Sequence, residues 1–207
     1  MVKPSKLIFI RHAPVETEVG YLPDNDPDAI INEFKIKNLA SYLPQDCIWY
    51  VSPLKRTIQT AKALSKYVAV KDMILEKKLK EQNFGDWAGK KISEVWKELK
   101  KNTSQHNFSF ICPEVSPPKG ENFLTILERV SIWLEELHFH DPQTAVIITH
   151  AGIIRGTLSF VLGIEPDKVI GIEISHLSLT RLEFLSKTDD INRGGRFRIL
   201  AINNKAD

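Results

Sequence analysis

The sequence predicts an α/β fold in which buried parallel strands are followed by helices. Three short apolar runs support this prediction, at residues 7–10, 47–51 and 145–149. Runs that are apolar at nearly every position are typical of strands covered on both faces. Each run ends at polar or charged residues. Because the carboxyl ends of parallel strands meet at one edge of a sheet, we expect the residues after these runs to line one crevice.

Length and composition indicate a single globular domain with an insertion. The chain has 207 residues, of which 43% are hydrophobic and 26% charged, which argues against disorder. The net charge is +2 without a concentrated basic stripe, so we expect no nucleic-acid partner. No apolar run approaches the roughly 18 residues of a membrane span. We therefore expect a cytoplasmic protein with no membrane partner, in which Cys47 and Cys112 are free thiols.

The first strand ends at Arg11 and His12, which places both side chains at the predicted crevice. The residues from Pro14 to about position 28 are rich in turn formers and acidic groups, which predicts a surface loop. Apolar residues then recur at helical spacing up to Pro44, so we expect a helix at about residues 28–43.

The second strand leads into a helix that carries Arg56 in its first turn. We expect Ser52 to be the N-cap of this helix and Pro53 its first residue. Arg56 then lies near the strand end, on a different face from the apolar stripe. An arginine at the positive end of a helix dipole is unfavourable unless an anion shares that terminus. The apolar stripe consists of Leu54, Ile58, Ala61 and Leu64.

The middle of the chain, at about residues 82–120, is predicted to be a cap-like insertion. A short strand at residues 74–76 precedes an ordered loop that carries Glu81, and a helix follows at residues 92–99. Residues 102–120 contain three prolines and are irregular, with a length that suits a lid. Disorder is the alternative for this last segment.

The clearest helix starts at residues 120–121 and continues to about residue 137 with apolar residues at steps of three and four. His138 and His140 at its end form a metal pair in one interpretation, but contact with the helix C-terminus is the favoured one. The third strand ends at His150. The remaining predictions are a helix at residues 153–162 that ends at Gly163, and strands at residues 168–174, 177–184 and 197–202.

Arg11, His12, Arg56 and His150 together predict a cationic pocket for a phosphate group, since arginine forks suit phosphate oxygens. The sequence has no G-x-x-x-x-G-K-[ST], G-x-G-x-x-G, C-x-x-C or H-E-x-x-H motif, so it predicts neither a nucleotide cradle nor a metal site. Phosphoryl transfer without a metal needs an uncharged nucleophile, which neutral His12 or His150 would provide. The other histidine would stabilise the transferring group, and Glu81 is the best-placed acid for the leaving alkoxide.

Five sequence blocks, in order and spanning most of the chain, resemble the histidine phosphatase (phosphoglycerate mutase-like) superfamily. The resemblance implies a three-layer α/β/α sandwich around a mostly parallel sheet. It implies that His12 is the phosphorylated nucleophile, that Glu81 is the proton donor, and that no metal or cofactor is needed. It further implies that Arg11, Arg56 and His150 bind the phosphate. The blocks are Arg11-His12, residues 51–61, residues 79–87, residues 120–123 and residues 149–155.

Within this superfamily the chain looks like the α-ribazole phosphatase branch. It differs from many superfamily members at Ala13, where they have glycine, and at Glu18, where they have an asparagine that contributes to the phosphate site. We expect the loop to carry Glu18 away from the phosphate. The branch resemblance depends on short motifs at residues 13–15, 20–26 and 178–183.

Three functions are compatible with the sequence. The leading hypothesis is a metal-independent phosphomonoesterase that acts on a small phosphorylated metabolite, with α-ribazole 5′-phosphate as a candidate. A phosphoglycerate mutase would use the same residues, but the irregular segment at residues 102–120 is short for that activity. A catalytically weak phosphate- or phosphopeptide-binding module is the third, favoured by Glu18 and the altered Arg-His-Ala-Pro segment. We expect specificity to come from residues 14–28 and 102–120.

Overall fold

The computed structural model describes residues 3–99, 106–110, 112–141, 143–185 and 194–206. The strands in this part of the chain are β1 (Ser5–Arg11), β2 (Cys47–Val51), β3 (Val70–Leu75), β4 (Thr144–Thr149), β5 (Leu179–Phe184) and β6 (Phe197–Asn204). The helices are α1 (Glu33–Ala40), α2 (Lys55–Leu64), α3 (Ile92–Leu99), α4 (Phe123–Glu136), α5 (Ala151–Leu162) and α6 (Pro166–Val169). Short 3-10 turns lie at Lys77–Leu79 and Gly85–Trp87.

The strands form one sheet with the order β3-β2-β4-β1-β5-β6. β1 pairs in parallel with β4, β4 with β2, and β2 with β3, so the predicted mostly parallel sheet is confirmed. β5 is antiparallel to β1, and β6 is antiparallel to β5. The carboxyl ends of β1, β2 and β4 therefore meet at one edge of the sheet. β5 runs the opposite way, so its beginning lies at that edge.

Alternate residues of β1 pack into apolar clusters on opposite faces of the sheet. Leu7 and Phe9 pack with residues of α4 and α5, whereas Ile8 and Ile10 pack with residues of α1 and α2. All four side chains are buried. Burying a large aliphatic or aromatic side chain contributes about 1.5–3 kcal/mol. These two clusters complete the three layers of an α/β/α sandwich, which confirms the predicted fold class.

Several helices follow the sequence pattern closely. α4 begins after Asn122, whose side chain accepts a hydrogen bond from the N–H of Thr125. α5 ends at Gly163, as predicted, in the left-handed conformation with a φ of 63° that favours glycine. α1 is shorter than predicted because Asn32 caps it at its start, and its side chain accepts from the N–H of Lys35. Both cysteines are buried and neither forms a disulfide, which confirms the prediction of thiols.

The predicted strand at residues 168–174 is wrong. Pro166 begins the single-turn helix α6, and the N–H groups of Ile170, Gly171 and Ile172 donate to carbonyls three or four residues earlier in the chain. Proline has no N–H to donate to a sheet and suits the first turn of a helix. The apolar side chains of this segment pack against the core, but the backbone that carries them forms a helical turn and further turns instead of a strand.

The predicted N-cap at Ser52 is also wrong. α2 begins at Lys55, after Leu54 in an extended conformation, and has no side-chain cap. The hydroxyl of Thr57 donates to the carbonyls of Ser52 (2.7 Å) and Leu54 (2.5 Å), which holds the chain extended before the helix begins. The hydroxyl of Ser52 lies 2.8 Å from Nε2 of His150 instead, so it belongs to the candidate site.

A smaller apolar cluster lies beside the main sandwich. It contains Leu22, Trp87 and Val95, and Phe84 and Phe110 pack against it. The irregular structure predicted for residues 102–120 is found at residues 106–110 and 112–120; the positions between 100 and 105, and residue 111, lie outside the described residues. In the part of the chain that the structure describes, no helix is long and apolar enough to cross a lipid bilayer.

Candidate active site

Three neighbouring parallel strands bring predicted site residues to one edge of the sheet. β1 ends at Arg11 and is followed by His12, and β4 is followed directly by His150. Arg56 lies in the first turn of α2, the helix after β2. Glu81 comes from the loop after the first 3-10 turn. The structure therefore brings together all five residues that the sequence analysis singled out.

A cavity of about 400 Å³ opens at this edge, which we call the cationic cavity. Arg11, His12, Arg56 and Glu81 line it. His150 lies beneath, fully buried, with its ring centroid 5.0 Å from that of His12. The loop at residues 14–28 forms much of the remaining wall. Its contributing residues are Val15, Thr17, Pro23, Asp24, Asn25 and Pro27.

Both ring nitrogens of His12 have hydrogen-bond partners, and these partners fix the orientation of the ring. Nδ1 lies 2.6 Å from the carbonyl oxygen of Ala13, which only accepts, so we assign the proton to Nδ1. Nε2 then accepts a hydrogen bond from Nε of Arg56 at 3.2 Å. Burial lowers the pKa of His12 well below its ordinary value, more than the Ala13 hydrogen bond raises it. His12 is therefore neutral at neutral pH.

His150 is a second neutral imidazole. Its Nε2 lies 2.8 Å from the hydroxyl of Ser52. Burial, and then the neighbouring His12, lower the pKa of His150 well below its ordinary value. Its Nδ1 is buried and has no hydrogen-bond partner among the described residues. A buried nitrogen without a hydrogen-bond partner lowers the stability of the fold by about 1–3 kcal/mol. A hydrogen bond from this atom to a ligand or a water would remove that cost.

The two arginines are partly desolvated cations. One terminal nitrogen of Arg11 donates to the carbonyl of Ile174 at 2.5 Å, while its Nε is buried without a partner in the described part of the chain. Burial lowers the pKa of Arg11 to about 10, so the side chain stays charged at neutral pH. Arg56 donates to the carbonyl of Asn25 at 3.3 Å, and burial lowers its pKa too. An anion in the cavity would offset the cost of desolvating both cations.

The carboxylate of Glu81 is held by backbone N–H groups. Its Oε2 accepts from the N–H of Gly152 at 3.3 Å, and its Oε1 accepts from the N–H of Gln82 at 3.2 Å. A Cβ atom on Gly152 would lie 2.3 Å from Oε1 of Glu81, which is impossible without a shift of the carboxylate. The glycine after His150 and Ala151 thus makes room for this acid.

His176 belongs to the site but was missed in the sequence analysis. It lines the cationic cavity, with its ring centroid 5.1 Å from that of His12. Its Nδ1 donates to the backbone carbonyl of His12 at 3.0 Å. Burial, and then Arg11, lower the pKa of His176 to about 4. The other site residues follow the carboxyl ends of parallel strands, whereas His176 precedes the antiparallel strand β5, whose beginning lies at the same edge. A polar residue just before an antiparallel strand is the sequence signal for such a position.

A second cavity of about 350 Å³ adjoins the first and shares Arg11, Pro23, Glu81, Gln82 and Phe84 with it. We call it the aromatic cavity because its walls also include the phenylalanines at positions 108, 110 and 123. Both segments that were expected to set specificity therefore contribute to the cavities. Its remaining wall consists of Leu22, Ser109, Cys112, Ala151, Gly152, Arg155 and Ile170.

The two departures from the superfamily pattern differ in their surroundings. Ala13 is fully buried, and its N–H donates to the hydroxyl of Thr60 at 2.9 Å. Glu18 is exposed and lines neither cavity. Among the described residues, no three His, Cys, Asp or Glu side chains are grouped to hold a metal ion. His138 and His140 are exposed, with ring centroids 5.1 Å apart.

Comparison with known proteins agrees with this architecture. A family model described as "Histidine phosphatase superfamily (branch 1)" matches residues 7–195. A protein of Hydrogenobacter thermophilus, named as a candidate phosphoserine phosphatase 2, is 24% identical over 136 residues. That match covers 65% of this chain and 65% of the relative's length.

Solved structures with the same fold cover nearly the whole chain. A protein from Escherichia coli, titled as a candidate alpha-ribazole-5′-P phosphatase, is 17% identical with a TM-score of 0.75, over 98% of each chain. The phosphoserine phosphatase of Entamoeba histolytica, solved with 3-phosphoglyceric acid, is 21% identical with a TM-score of 0.70, over 97% of this chain and 98% of that one. At these identities the similarity concerns the fold.

Proposed function

This chain belongs to branch 1 of the histidine phosphatase superfamily, and from that premise we propose that it is a phosphomonoesterase acting through a phosphohistidine on His12, without a metal or cofactor. The observation that carries the proposal is the arrangement at His12. Its ring is neutral, its Nδ1 proton is held by the Ala13 carbonyl at 2.6 Å, and its Nε2 accepts from Nε of Arg56 at the cationic cavity. In this proposal the phosphate of the substrate takes over the Arg56 donor, which frees the lone pair of Nε2. A neutral, oriented imidazole is a competent nucleophile at neutral pH.

In the proposed first step the phosphate group of the substrate lies between Arg11 and Arg56. Nε2 of His12 forms a bond to phosphorus as the bond from phosphorus to the leaving oxygen breaks. Glu81, in its protonated form, gives its proton to that oxygen, and the alcohol leaves. The Ala13 carbonyl stabilises the positive charge that develops on the His12 ring because it keeps accepting from Nδ1.

In the second step a water molecule attacks the phosphohistidine. Glu81 takes a proton from the water as the bond from nitrogen to phosphorus breaks. This step releases inorganic phosphate and restores neutral His12 and protonated Glu81. The acid of the first step is thus the base of the second, as microscopic reversibility requires of a single carboxyl group.

His150 has a separate role in this proposal. With Nε2 accepting from the Ser52 hydroxyl, the proton of the neutral ring is on Nδ1, the atom without a partner among the described residues. We propose that Nδ1–H donates to a phosphoryl oxygen in the transition state. Removing one such donor in other enzymes costs about 2.7–4 kcal/mol of transition-state stabilisation.

We propose a small phosphorylated metabolite as the substrate and α-ribazole 5′-phosphate as the first compound to assay. The resemblance to the α-ribazole phosphatase branch and the E. coli structural neighbour support this choice. We also propose that the whole chain is one domain in which residues 82–120 form a cap. The small apolar cluster around Trp87 and Val95 supports a separately packed cap.

The test is a panel of phosphomonoesters that includes α-ribazole 5′-phosphate, phosphoserine, 3-phosphoglycerate, nucleotides and a phosphopeptide, assayed with and without EDTA. We expect phosphate release that EDTA does not affect, acid-labile phosphate on protein quenched during turnover, and loss of both in His12→Ala. Full turnover by His12→Ala, or acid-stable phosphoprotein, would overturn the proposal. Isomerised phosphoglycerate without phosphate release would indicate a mutase, and binding without turnover would indicate a phosphate-binding module.

A further inference from the structure

The aromatic cavity contains more apolar surface than phosphoryl transfer requires. Four phenylalanine rings line it, and two of them lie in segments that are remote in sequence: the rings of Phe84 and Phe110 pack with centroids 5.6 Å apart and a tilt of 53°. Phe123 is buried at the start of α4. Together these rings form a wall with flat faces, beside Leu22 and Ile170.

Phe108 lies edge-to-face with His106, with ring centroids 6.4 Å apart, but most of its side chain stays uncovered. Its side chain is 79% exposed, although it lines the aromatic cavity. An exposed phenylalanine at the mouth of a cavity favours a ligand that covers it, because removing apolar surface from water is favourable. A molecule that enters the cavity can therefore pack against the exposed face of the Phe108 ring.

The position of Glu81 links the two cavities. Glu81 lines both of them, and its carboxylate is anchored by the N–H of Gly152 at 3.3 Å. Under the proposed function, the oxygen that Glu81 protonates is the one that joins phosphorus to the alcohol. With the phosphate in the cationic cavity, the alcohol extends past Glu81 into the aromatic cavity.

The charged groups of the aromatic cavity are concentrated near Glu81. Arg11 and Glu81 itself are shared with the cationic cavity. Arg155 is anchored through Nε, which donates to the carbonyl of Ile172 at 2.8 Å, and Glu81 raises its pKa while burial lowers it more. Apart from Ser109, the polar side chains of this cavity lie near Glu81, so a short polyhydroxy or amino acid alcohol would leave most of the phenylalanine rings without contact.

We propose that the aromatic cavity selects phosphomonoesters whose leaving alcohol carries a flat aromatic ring. This inference rests on the proposed function and narrows its substrate class. Phe108, Phe110 and Phe84 contact the ring, and Phe108 loses its exposure when the ring is bound. Offset and edge-to-face contacts between aromatic rings stabilise a complex beyond the area that they bury. The class excludes phosphoserine and 3-phosphoglycerate as preferred substrates.

Binding of phosphonates tests this inference separately from catalysis, because the carbon–phosphorus bond is not a phosphoester. We would measure the Kd of 3-phenylpropylphosphonate, of 3-cyclohexylpropylphosphonate and of methylphosphonate by calorimetry. We expect the phenyl compound to bind at least tenfold more tightly than the methyl compound and several-fold more tightly than the non-planar cyclohexyl compound. Equal affinity for the phenyl and methyl compounds would overturn the inference, whether or not the protein hydrolyses any phosphoester.

Two variants test where the phenyl ring of the ligand binds. Phe108→Ala should weaken binding of the phenyl compound about three- to tenfold and leave methylphosphonate binding unchanged. The matched control is Phe34→Ala, since Phe34 is 80% exposed on α1 and lines neither cavity. Phe110→Leu keeps an apolar side chain in the small cluster but removes the flat face, and we expect it to weaken only the phenyl compound. If Phe108→Ala and Phe110→Leu bind that compound as the wild type does, the cavity does not hold the ring.

Discussion

At the scale of single residues, the contact between Gly152 and Glu81 determines where the proposed acid lies. A Cβ on residue 152 would approach Oε1 of Glu81 to 2.3 Å, so Gly152→Ala must displace the carboxylate. General-acid catalysis contributes about 10²–10⁴ in rate. We expect Gly152→Ala to lower kcat/KM for alkyl phosphates by about a hundredfold, because kcat/KM reports the step in which the alcohol leaves and not the later attack of water. The loss should be far smaller for 4-nitrophenyl phosphate, whose leaving group needs no proton.

The same helix provides a control for this substitution. Gly156 also lies in α5, but a Cβ there would meet side-chain atoms of Leu127, Ile126 and Val130 at ordinary distances of 3.5–3.6 Å. Replacing glycine by alanine inside a helix stabilises it by about 0.8–1.0 kcal/mol. Gly156→Ala should therefore keep its activity on both substrates. Equal losses of kcat/KM on both substrates in Gly152→Ala would contradict the role of Glu81 as the acid of the first step.

Three histidines of the site make stability sensitive to acid. The pKa values of His12 and His150 are well below the ordinary value, and that of His176 is about 4, so all three stay neutral in the folded protein below pH 6.5. The unfolded chain takes up these protons near pH 6.5. The free energy of unfolding should therefore be unaffected above this pH and fall from pH 6.5 towards pH 4, by up to about 1.4 kcal/mol per pH unit for each histidine.

Urea unfolding at several pH values measures this slope. Carboxylates also affect acid stability, but they are the same in the wild type and in His176→Asn. The difference between the two slopes between pH 6.5 and 4.5 therefore isolates the contribution of His176, and we expect a shallower slope in the variant. Parallel slopes would show that His176 is protonated equally in the folded and unfolded chains.

Four of the five residues predicted from the sequence share one property: each follows a buried parallel strand or lies near the start of the next helix. Glu81 is the exception, because it lies in a loop beyond the mostly exposed strand β3 and is predicted from its loop context and the family resemblance. Arg11, His12 and His150 are found in this way, and Arg56 is found from its unfavourable place at a helix N-terminus. His176 is not, because its strand runs in the opposite direction. The direction of β5 depends on its pairing with β1, a long-range contact that a local apolar pattern does not encode.

At the scale of elements, a hydroxyl joins the segment after β1 to α2. Thr60 is fully buried, and its hydroxyl accepts from the N–H of Ala13 at 2.9 Å and donates to the carbonyl of Arg56 at 2.6 Å. Thr60→Val should leave the Ala13 N–H buried without a partner, which costs about 1–3 kcal/mol of stability. Because Ala13 also orients His12, kcat/KM should fall with stability.

Thr60→Ser is the matched variant, since it keeps the hydroxyl and removes only a methyl group. We expect it to retain kcat/KM, with the small loss of stability expected of a missing methyl. Thermal unfolding and phosphate release measured on the same samples compare the two variants. Equal kcat/KM in Thr60→Val and Thr60→Ser would show that the hydroxyl does not contribute to the orientation of His12.

Helices and strands with a regular pattern of apolar residues are predicted correctly from the sequence. Elements whose position depends on the contact of one residue are not. α4 and the buried strands are predicted because many residues share one pattern. The start of α2 was misplaced because Ser52 bonds His150, a residue 98 positions away, rather than its own helix. The segment after Pro166 was misassigned because its apolar residues have no clear period, and the proline decides in favour of a helical turn.

At the scale of the whole molecule, parallel pairing gathers residues from distant parts of the chain at one edge. β1, β2 and β4 are neighbours in the sheet although more than 130 residues separate β1 from β4 in sequence. The continuous apolar runs predict parallel pairing, because such runs are typical of strands that are covered on both faces of the sheet. The cavities, in contrast, depend on how the loops at residues 14–28 and 106–120 pack together, and their sequences contain no period from which to predict this.

Desolvated cations at this edge couple the stability of the whole fold to anion binding. A ligand that binds only the folded protein stabilises it by about 2.7 kcal/mol at a concentration of 100 times Kd. For a chain of this size each kcal/mol raises Tm by about 2–4 °C, so saturating inorganic phosphate should raise Tm by about 5–10 °C. Differential scanning calorimetry with phosphate, and with chloride at equal ionic strength, measures the shift.

The variant Arg11→Met separates the effect of Arg11 on stability without phosphate from its effect on the rise in Tm that phosphate causes. The Nε of Arg11 is buried without a partner among the described residues, and burial lowers its pKa to about 10, so the cation destabilises the fold when no anion is bound. Arg11→Met removes the cost of desolvating this cation, but it also removes the hydrogen bond to the Ile174 carbonyl, and the two effects oppose each other. We expect Arg11→Met without phosphate to unfold near the wild-type Tm and to lose most of the phosphate-induced rise. Arg181→Met, at an exposed arginine of β5, should keep that rise. A full phosphate-induced rise in Arg11→Met would mean that the anion binds without Arg11, and would remove Arg11 from the proposed phosphate site.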